Sequence, residues 1–258
     1  MKDKDLNKYA NKLVNAFLNN KIISALPLKY TKKISEAQKF RKLCESKITK
    51  PIIGFKAAGT GIPVLKKLKE KEPFYASVYK HNVLNNNKSV KINKYTIGIE
   101  LEVCYLIKNS FFELKKKVTK NNIKNFISHI APCIEVVGYR QKKKGIKSLG
   151  DLCSDFGANV KFILGPKKKF KNNNVKNLRT NISNKKTKQS VNGNTNTVYI
   201  DPMNSLLFVL NKIQKDKIKL KNEFYVFTGS SVGVVPILGK GIYKGTISKL
   251  GSVSSKIS

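Results

Sequence analysis

The sequence is short of several residue types on which protein function commonly depends. It has no tryptophan, three arginines, two histidines and 15 acidic residues in 258 positions, against 49 lysines. The formal net charge is +37, and a protein this basic concentrates near polyanions. Surfaces that read phosphates or bases usually rely on arginine, because its planar fork binds them through two hydrogen bonds. Lysine, asparagine and isoleucine in excess without arginine fit the codon bias of an AT-rich genome better than selection for nucleic-acid binding.

Long apolar runs are also missing. No segment approaches the roughly 18 consecutive apolar residues that a membrane-spanning helix needs. Residues 1–10 hold no apolar stretch behind their lysines, as a secretory signal would. We therefore expect a cytoplasmic protein with no membrane partner. Its length and its 40% of apolar residues suffice for one large domain or two small ones.

Cysteine and histidine offer little for metal or nucleophile chemistry. The four cysteines are widely spaced and form no CxxC pair, and only two histidines could assist them. A catalytic triad would need one histidine beside a nucleophile and a carboxylate, and neither histidine lies in a recognisable motif. We expect thiols that pack in the core and histidines at the surface or beside helices. These residues are Cys44, Cys104, Cys133, Cys153, His81 and His129.

Helical periodicity dominates the first third of the chain. Apolar residues from Leu6 to Phe17 recur at helical spacing, and a second helix is predicted to start at Ser35, with Gln38 completing a capping box. Pro51 ends this pattern. The apolar run from Ile52 to Lys56 then predicts a strand that ends in a glycine-rich turn.

From about residue 92 the pattern changes to β. Apolar residues alternate with a period of two over 96–107, so Glu100 and Glu102 must share one face of one strand. Apolar residues over 123–130 recur at helical spacing and predict a helix that runs into Pro132. A strand from Cys133 to Val137, with Glu135 at its centre, is predicted to follow.

The remaining pattern adds strands, a hairpin and one clear helix. Residues 160–165 predict a strand after a loop or short helix near residue 151, and the polar segment 165–196 predicts a surface hairpin. Asp201 and Pro202 predict a helix start, and short strands follow it. Helices first and strands later, without βαβ alternation, favour an α+β fold with a mainly antiparallel or rolled sheet.

Three glutamates on apolar strands are the most informative feature. Like charges a few ångströms apart raise each other's pKa, and burial adds a desolvation cost unless a cation neutralises them. If the face that carries Glu100 and Glu102 is wet, both are simply solvated. However, acidic residues are scarce in this chain and a third, Glu135, also lies mid-strand. Three such carboxylates suit a hard divalent cation, Mg²⁺ or Mn²⁺.

Five segments together carry a family resemblance. GFK, GIELEV, IEVVGYR, DPMNSLLFVLNKI and FTGSSVG occur in this order between about Gly54 and Ser252. In this combination the chain resembles the 2-keto-4-pentenoate hydratase and 4-oxalocrotonate decarboxylase group of the fumarylacetoacetate hydrolase superfamily. The resemblance implies an N-terminal helical and mixed segment, 1–90, and a mixed β-roll catalytic core, 91–258.

The resemblance also implies the roles of single residues. Mg²⁺ or Mn²⁺ would be held by the three glutamates, a catalytic lysine would come from GFK, and the substrate would be bound by FTGS and by an aspartate of SDFGAN. Phe74 and Ala76 stand where many members have an acidic residue and a glycine, and Phe156 replaces a usual asparagine. The implied residues are Glu100, Glu102 and Glu135 for the metal, Lys56 for catalysis, and Thr228, Gly229, Ser230 and Asp155 for the substrate.

The expected function is hydration of a short unsaturated 2-oxo acid of the 2-hydroxypenta-2,4-dienoate type, in aromatic compound catabolism. The alternative at the same metal site is decarboxylation of a 2-oxo-hexenedioate of the 4-oxalocrotonate type. Hydrolysis of an acylpyruvate ranks behind both, because neither histidine lies in a matching motif. A different class, a basic nucleic-acid-binding protein, would use the lysine-rich segment 167–189 as its arm. The resemblance further implies a homo-oligomer.

Overall fold

The computed structural model describes residues 4–142 and 145–258, which form five α-helices, thirteen strands and short 3-10 helices. The helices are α1 Lys4–Leu18, α2 Ile34–Ser46, α3 Ile62–Lys67, α4 Leu149–Ser154 and α5 Pro202–Lys215. The strands are β1 Ile52–Ala58, β2 Phe74–Tyr79, β3 Val83–Asn85, β4 Ser89–Val90, β5 Thr96–Ile107, β6 Ile127–Gly138, β7 Asn159–Leu164, β8 Lys168–Lys169, β9 Arg179–Asn184, β10 Gln189–Asn194, β11 Phe224–Ser230, β12 Gly241–Ile247 and β13 Gly251–Ile257.

The strands form two sheets. The first has the order β2-β1-β11-β5-β6-β7-β3, with β8 paired to the far end of β6, and the second has the order β10-β9-β12-β13-β4. Within the described ranges, eight of the eleven strand pairs are antiparallel. The α+β class and the mainly antiparallel, rolled sheet expected from the sequence are confirmed.

Strands β5 and β6 form the centre of the first sheet. Both are 12 residues long, and nearly all of their side chains are buried or half-buried on both faces. The side chains of Leu101 and Ile134 point toward the second sheet, where a Cβ on Gly245 of β12 would collide with Leu101. The opposite face carries the three glutamates. The period-two interpretation of residues 96–107 is therefore confirmed.

The helix predicted over residues 123–130 is wrong. The chain forms one 3-10 turn, Ile123–Phe126, and then enters β6. The later of these apolar residues at helical spacing belong to a strand that is buried on both faces. Periodicity cannot distinguish such a strand from a helix. Pro132 lies inside β6 but beyond the last pair that β6 forms with β7, Cys133 with Leu164. Its carbonyl still accepts the N–H of Gly165. Because this position is outside the ladder with β7, the missing N–H of proline is tolerated there.

The N-terminal helices form a layer against one end of the first sheet. The apolar face of α1 packs with residues of α2 and with Tyr79 and Phe156. Both helices confirm the predicted periodicity, but the capping box at Ser35 is wrong. Helix α2 begins one residue earlier at Ile34, its N-cap Lys33 has no side-chain cap, and Ser35 lies inside the first turn.

Helix α5 and the C-terminal strands complete the core. Asp201 caps α5 by accepting the N–H of Asn204 at 2.8 Å, as predicted. Its buried residues join the main cluster between the two sheets. The predicted hairpin in residues 165–196 is confirmed as β9 and β10, which lie at one edge of the second sheet.

The division of the chain at residue 90 stays a prediction. Strands β1, β2 and β3 precede that residue and are hydrogen-bonded into the same sheet as β5, β6, β7 and β11.

All four cysteines are free and buried, as expected for core thiols. Among the helices of the described ranges, none is both long and apolar enough to cross a membrane.

Candidate metal centre

Three carboxylates meet where β5 and β6 pair. Glu100 and Glu102 are two residues apart on β5, and Glu100 lies directly opposite Glu135 on β6. One carboxylate oxygen from each lies within 4.8 Å of the others. Glu102 and Glu135 are fully buried, whereas Glu100 is partly exposed. The alternative of a wet face, on which the glutamates would simply be solvated, is therefore wrong: they share a face that is closed except at Glu100.

Lys56 joins this cluster from β1. Its Nζ donates to Glu135 Oε1 at 2.5 Å and to the carbonyl of Gly157 at 3.0 Å. Strands β11 and β5 lie between β1 and β6 in the sheet order. In a flat sheet, strands three positions apart would be separated by about 14 Å. The direct contact between Lys56 and Glu135 therefore shows that the sheet curls around this face.

The electrostatics of the cluster are dominated by burial. Burial, and then the charge of Glu135, raises the pKa of Glu100 to about 7. The same two causes, with the charge of Glu100 added, raise the pKa of Glu102 well above its usual range. Burial favours the neutral amine of Lys56, but the three carboxylates outweigh burial and raise its pKa. Lys56 in the metal-free protein is therefore an ammonium.

The residues present fit a divalent cation. Glu102 Oε1 and Glu135 Oε2 are buried and have no hydrogen-bond partner among the described residues, and an unpartnered buried oxygen is costly. Lys56 neutralises one of the three carboxylate charges, and a divalent cation would match the remaining two. Three carboxylates supply the oxygen ligands that hard cations prefer. A cation in this position would satisfy both orphan oxygens.

A cavity of about 170 Å³ opens beside Lys56 and Glu100. Its other side chains are mainly small or apolar, and several residues contribute only backbone. Of the described residues that line it, Lys56 is the only cationic one and Glu100 the only acidic one. The apolar lining residues include Val64, Ile97, Val137, Ile146, Leu152 and Val234.

The residues expected to bind substrate fall into two groups. Gly229 and Ser230 line the cavity, and the N–H of Gly229 donates to Glu102 Oε2 at 3.0 Å. Thr228 is buried beneath them, where its hydroxyl donates to the carbonyl of Val103 at 2.8 Å. Asp155 does not line the cavity: it is fully buried and paired with Arg140. The substrate-binding roles of all four residues stay predictions.

Two backbone groups belong to the cluster and were not predicted as such. The carbonyl of Gly157 binds Lys56, and the N–H of Gly229 binds Glu102. Both glycines have positive φ, +70° and +102°. A Cβ on Gly229 would lie 2.1 Å from the hydroxyl oxygen of Thr60. Glycine in these two segments was the available signal, but its carbonyl and amide directions cannot be derived from sequence.

No protein-family model matches the chain, and no curated protein matches it in sequence. Solved structures do match. The 4-oxalocrotonate decarboxylase from Pseudomonas putida G7, complexed with magnesium and adipate, superposes with a TM-score of 0.84 at 17% identity, covering 100% of this chain and 99% of that one. The same enzyme complexed with calcium and acetate gives the same values.

Two further solved structures match with lower TM-scores. The 5-carboxymethyl-2-hydroxymuconate delta-isomerase from Mycobacterium smegmatis has a TM-score of 0.58 at 14% identity, covering 80% of each chain. A protein from Yersinia pestis CO92 assigned to the fumarylacetoacetate hydrolase family has a TM-score of 0.58 at 13% identity, covering 82% of this chain and 95% of that one.

The chain therefore has the fold of the fumarylacetoacetate hydrolase superfamily, as the resemblance of its motifs implied. Over its whole length it superposes on 4-oxalocrotonate decarboxylase. Identities this low establish a shared fold and leave the reaction to be argued from this chain's own residues.

Proposed function

We propose that the protein is a metal-dependent hydratase that adds water to a short unsaturated 2-oxo acid of the 2-hydroxypenta-2,4-dienoate type, giving a 4-hydroxy-2-oxo acid. The observation that carries this proposal is the cavity beside the carboxylates. It has an apolar wall, and Lys56 is its only cationic side chain in the described part of the chain. Such a wall suits the apolar end of a monocarboxylic acid.

Glu100, Glu102 and Glu135 would hold Mg²⁺ or Mn²⁺. When bound, the cation supplies Lewis-acid stabilisation of the negative charge that develops on the 2-oxo oxygen. Three protein ligands leave positions for the substrate carboxylate and 2-oxo group. The N–H of Gly229 fixes the orientation of Glu102 through its hydrogen bond at 3.0 Å.

Lys56 would move the protons. During hydration the enol proton leaves, a proton reaches C5, water adds at C4 and a proton reaches C3. An ammonium has three N–H donors, and Lys56 uses one on Glu135 and one on Gly157. The third can serve the substrate in the cavity. Because the carboxylate charges hold Lys56 protonated without metal, cation binding would lower its pKa toward a value useful for proton transfer.

A second candidate is decarboxylation of a 2-oxo-hexenedioate at the same centre. The end-to-end superposition on 4-oxalocrotonate decarboxylase, whose structure contains adipate, favours it. This reaction needs a cationic contact for the distal carboxylate of the substrate. Among the described residues, which do not include 143 and 144, Lys56 is the only cationic residue that lines the cavity. Because Lys56 is already bound to Glu135, it is not free to bind a distal carboxylate. The apolar wall therefore makes decarboxylation the second choice.

Acylpyruvate hydrolysis and nucleic-acid binding have less support. Hydrolytic cleavage of an acylpyruvate would need a base to activate water, and neither His81 nor His129 lines the cavity. In the lysine-rich segment 167–189, the single aromatic residue Phe170 packs against Tyr105 with ring centroids 6.3 Å apart. This half-buried ring is engaged by the protein's own core, and the segment has no other aromatic residue, so it gives little support to nucleic-acid binding.

A substrate panel tests the proposed reaction. Purified protein with Mg²⁺ or Mn²⁺ is given 2-hydroxydienoates with an apolar end and with a distal carboxylate, and dienol absorbance and CO₂ are followed in parallel. Loss of absorbance without CO₂ for the apolar substrate supports the hydratase. Stoichiometric CO₂ from the dicarboxylic substrate would replace it with the decarboxylase.

Two variants test the centre itself. Glu100→Gln should abolish turnover and weaken Mg²⁺ binding together, because it removes a ligand charge and leaves the side-chain shape unchanged. Glu223→Gln is the matched control, since Glu223 is exposed near the start of β11 and remote from the cluster in the sheet register. Unaltered activity and metal affinity in Glu100→Gln would show that the proposed centre is wrong. Homo-oligomer formation stays a separate prediction.

A further inference from the structure

The turn that supplies Gly157 has an unusual backbone. Phe156, Gly157 and Ala158 follow one another with φ of +52°, +70° and +57°. Two of these residues carry a Cβ, and the left-handed region costs such residues roughly 1–2 kcal/mol each. Conformations of this kind persist only where the surrounding structure determines them. The turn between α4 and β7 must therefore be held from outside.

Arg140 holds both ends of this turn. Its Nη1 donates to Asp155 Oδ1 at 3.0 Å and to the Asp155 carbonyl at 3.3 Å, just before the turn. Its Nη2 donates to the carbonyl and the side-chain oxygen of Asn159, just after it. The backbone N–H of Arg140 also donates to Asp155 Oδ2 at 2.9 Å. One guanidinium thus spans residues 155 to 159.

The middle of the turn faces the catalytic cavity. Gly157 and Ala158 line it, and the Gly157 carbonyl accepts from Lys56 Nζ at 3.0 Å. A Cβ on Gly157 would lie 3.5 Å from both Cδ and Cε of Lys56. The turn therefore binds the tip of the lysine and lies close to the rest of its side chain, so a displaced turn would displace the ammonium.

We propose that Arg140 and Asp155 are positioning residues that hold the turn at 156–158, so that the Gly157 carbonyl fixes the ammonium of Lys56 for proton transfer. The inference rests on the proposed function for the reaction but on hydrogen bonds alone for the geometry. Asp155, which the sequence predicts to contact the substrate, would then act indirectly, by holding the turn together with Arg140. A purely stabilising role is a weaker explanation, because buried ion pairs contribute little net stability.

Arg140 can be probed from the far side of the turn. It also lines a second cavity of about 260 Å³, which includes the exposed residues Lys91 and Asn93. This cavity gives a small cation a route to the space that Arg140 would vacate. Free guanidinium matches the group removed in an alanine variant and can form the same planar hydrogen bonds.

Arg140→Ala should lower kcat about 100-fold with little change in KM, the loss expected from a displacement of about 1 Å at the reacting group. Millimolar guanidinium should restore part of kcat in this variant and leave the wild type unchanged. Arg179→Ala is the matched control, because Arg179 is exposed on β9; it should keep full kcat and show no rescue. Mg²⁺ affinity should be unchanged in both variants.

A second readout does not depend on activity. The sixteen glycines can be labelled with ¹⁵N, and the signal of Gly157, assigned from Gly157→Ala, should move in Arg140→Ala and return toward its wild-type position with guanidinium. If removing the partner of Asp155 prevents folding, Arg140→Met combined with Asp155→Asn removes both charges and should fold, again with low kcat and a moved signal.

The kcat values and the Gly157 signal distinguish failure of the positioning role from failure of the proposed function. A Gly157 signal that stays in place, or a kcat retained in the folded variants, would overturn the positioning role even in an active enzyme. Failure of the proposed function would instead appear as wild-type protein that turns over neither substrate. In that case the movement of the Gly157 signal would still decide whether Arg140 holds the turn.

Discussion

The two faces of the strand pair β5 and β6 are both largely buried and have opposite chemistry. Leu101 on one face and Glu102 on the other are both fully inaccessible to solvent. The apolar face packs against the second sheet and gains about 25 cal/mol for each Å² removed from water. The carboxylate face loses hydration, and no residue in the described part of the chain is hydrogen-bonded to Glu102 Oε1 or Glu135 Oε2. Burial stabilises one face and costs free energy on the other.

Within each of these two strands, one face stabilises the fold and the other carries the residues proposed to bind the metal. A sequence selected only for stability would not place three carboxylates on a closed face, because apolar residues of similar volume are often neutral or stabilising there. Departures from local consistency are expected at functional positions. The apolar face should therefore control unfolding, while the carboxylate face should control metal binding.

The largest expected effect is on the carboxylate face. Glu102→Gln keeps the size of the side chain but removes a buried charge. Changes to outer-shell partners alone lower metal affinity by up to about 100-fold. Loss of a direct ligand should therefore lower metal affinity by more than about 100-fold. The metal-free variant should unfold at a higher temperature than the metal-free wild type. Calorimetric titration and thermal unfolding measure the two effects, and unchanged metal affinity would contradict the assignment of this face.

The next effect is on the apolar face. Leu101→Ala should lower the free energy of unfolding by about 3 kcal/mol, because a fully buried leucine leaves a cavity that its neighbours fill only in part. Metal affinity measured on the folded variant should be unchanged. Urea denaturation gives the stability change. A metal affinity that falls with the stability would show that the two faces are coupled, and the separation of their roles would then be wrong.

The smallest effect is on pH dependence. The pKa of Glu100 is raised to about 7 in the metal-free protein, above its value in the unfolded chain. The folded state therefore holds the proton more tightly, and this contribution to stability is full below the unfolded pKa and is lost as pH rises through about 7. Metal-free protein should unfold at lower temperature as pH increases across this range.

Glu100→Gln provides the control for that pH series. It has no proton to lose, so the part of the slope due to Glu100 should disappear, while the slope from groups outside the carboxylate cluster remains. Metal affinity of the wild type should rise over the same pH range, because protons compete with the cation for the carboxylates. A slope identical in wild type and variant would place the titration elsewhere.

The sequence predicts the members of the cluster better than their arrangement. Alternation over residues 96–107 predicts that Glu100 and Glu102 share a face, and β5 spans those residues. The same reasoning fails for β6, whose first half is buried on both faces and mimics helical spacing. Motif resemblance indicates Lys56, but only the curl of the sheet brings it to Glu135.

Pairing register and backbone direction account for the rest. Glu100 lies opposite Glu135 because β5 and β6 pair in one register, and a shift by one residue would move the carboxylate to the other face. The roles of the Gly157 carbonyl and of Arg140 depend on three successive positive φ angles. No propensity predicts such angles for Phe156 and Ala158, since they are imposed by tertiary contacts.

Strand β1 has a consequence for how the protein is made. It pairs in parallel with β11, joining Lys56 to Phe227, so its neighbour in the sheet is synthesised long after it. Contacts this distant in sequence close slowly and raise contact order. A growing chain that has released β1 and β2 therefore exposes an open sheet edge until β11 emerges from the ribosome, and a truncated product would retain all three carboxylates while lacking the strand that carries Gly229.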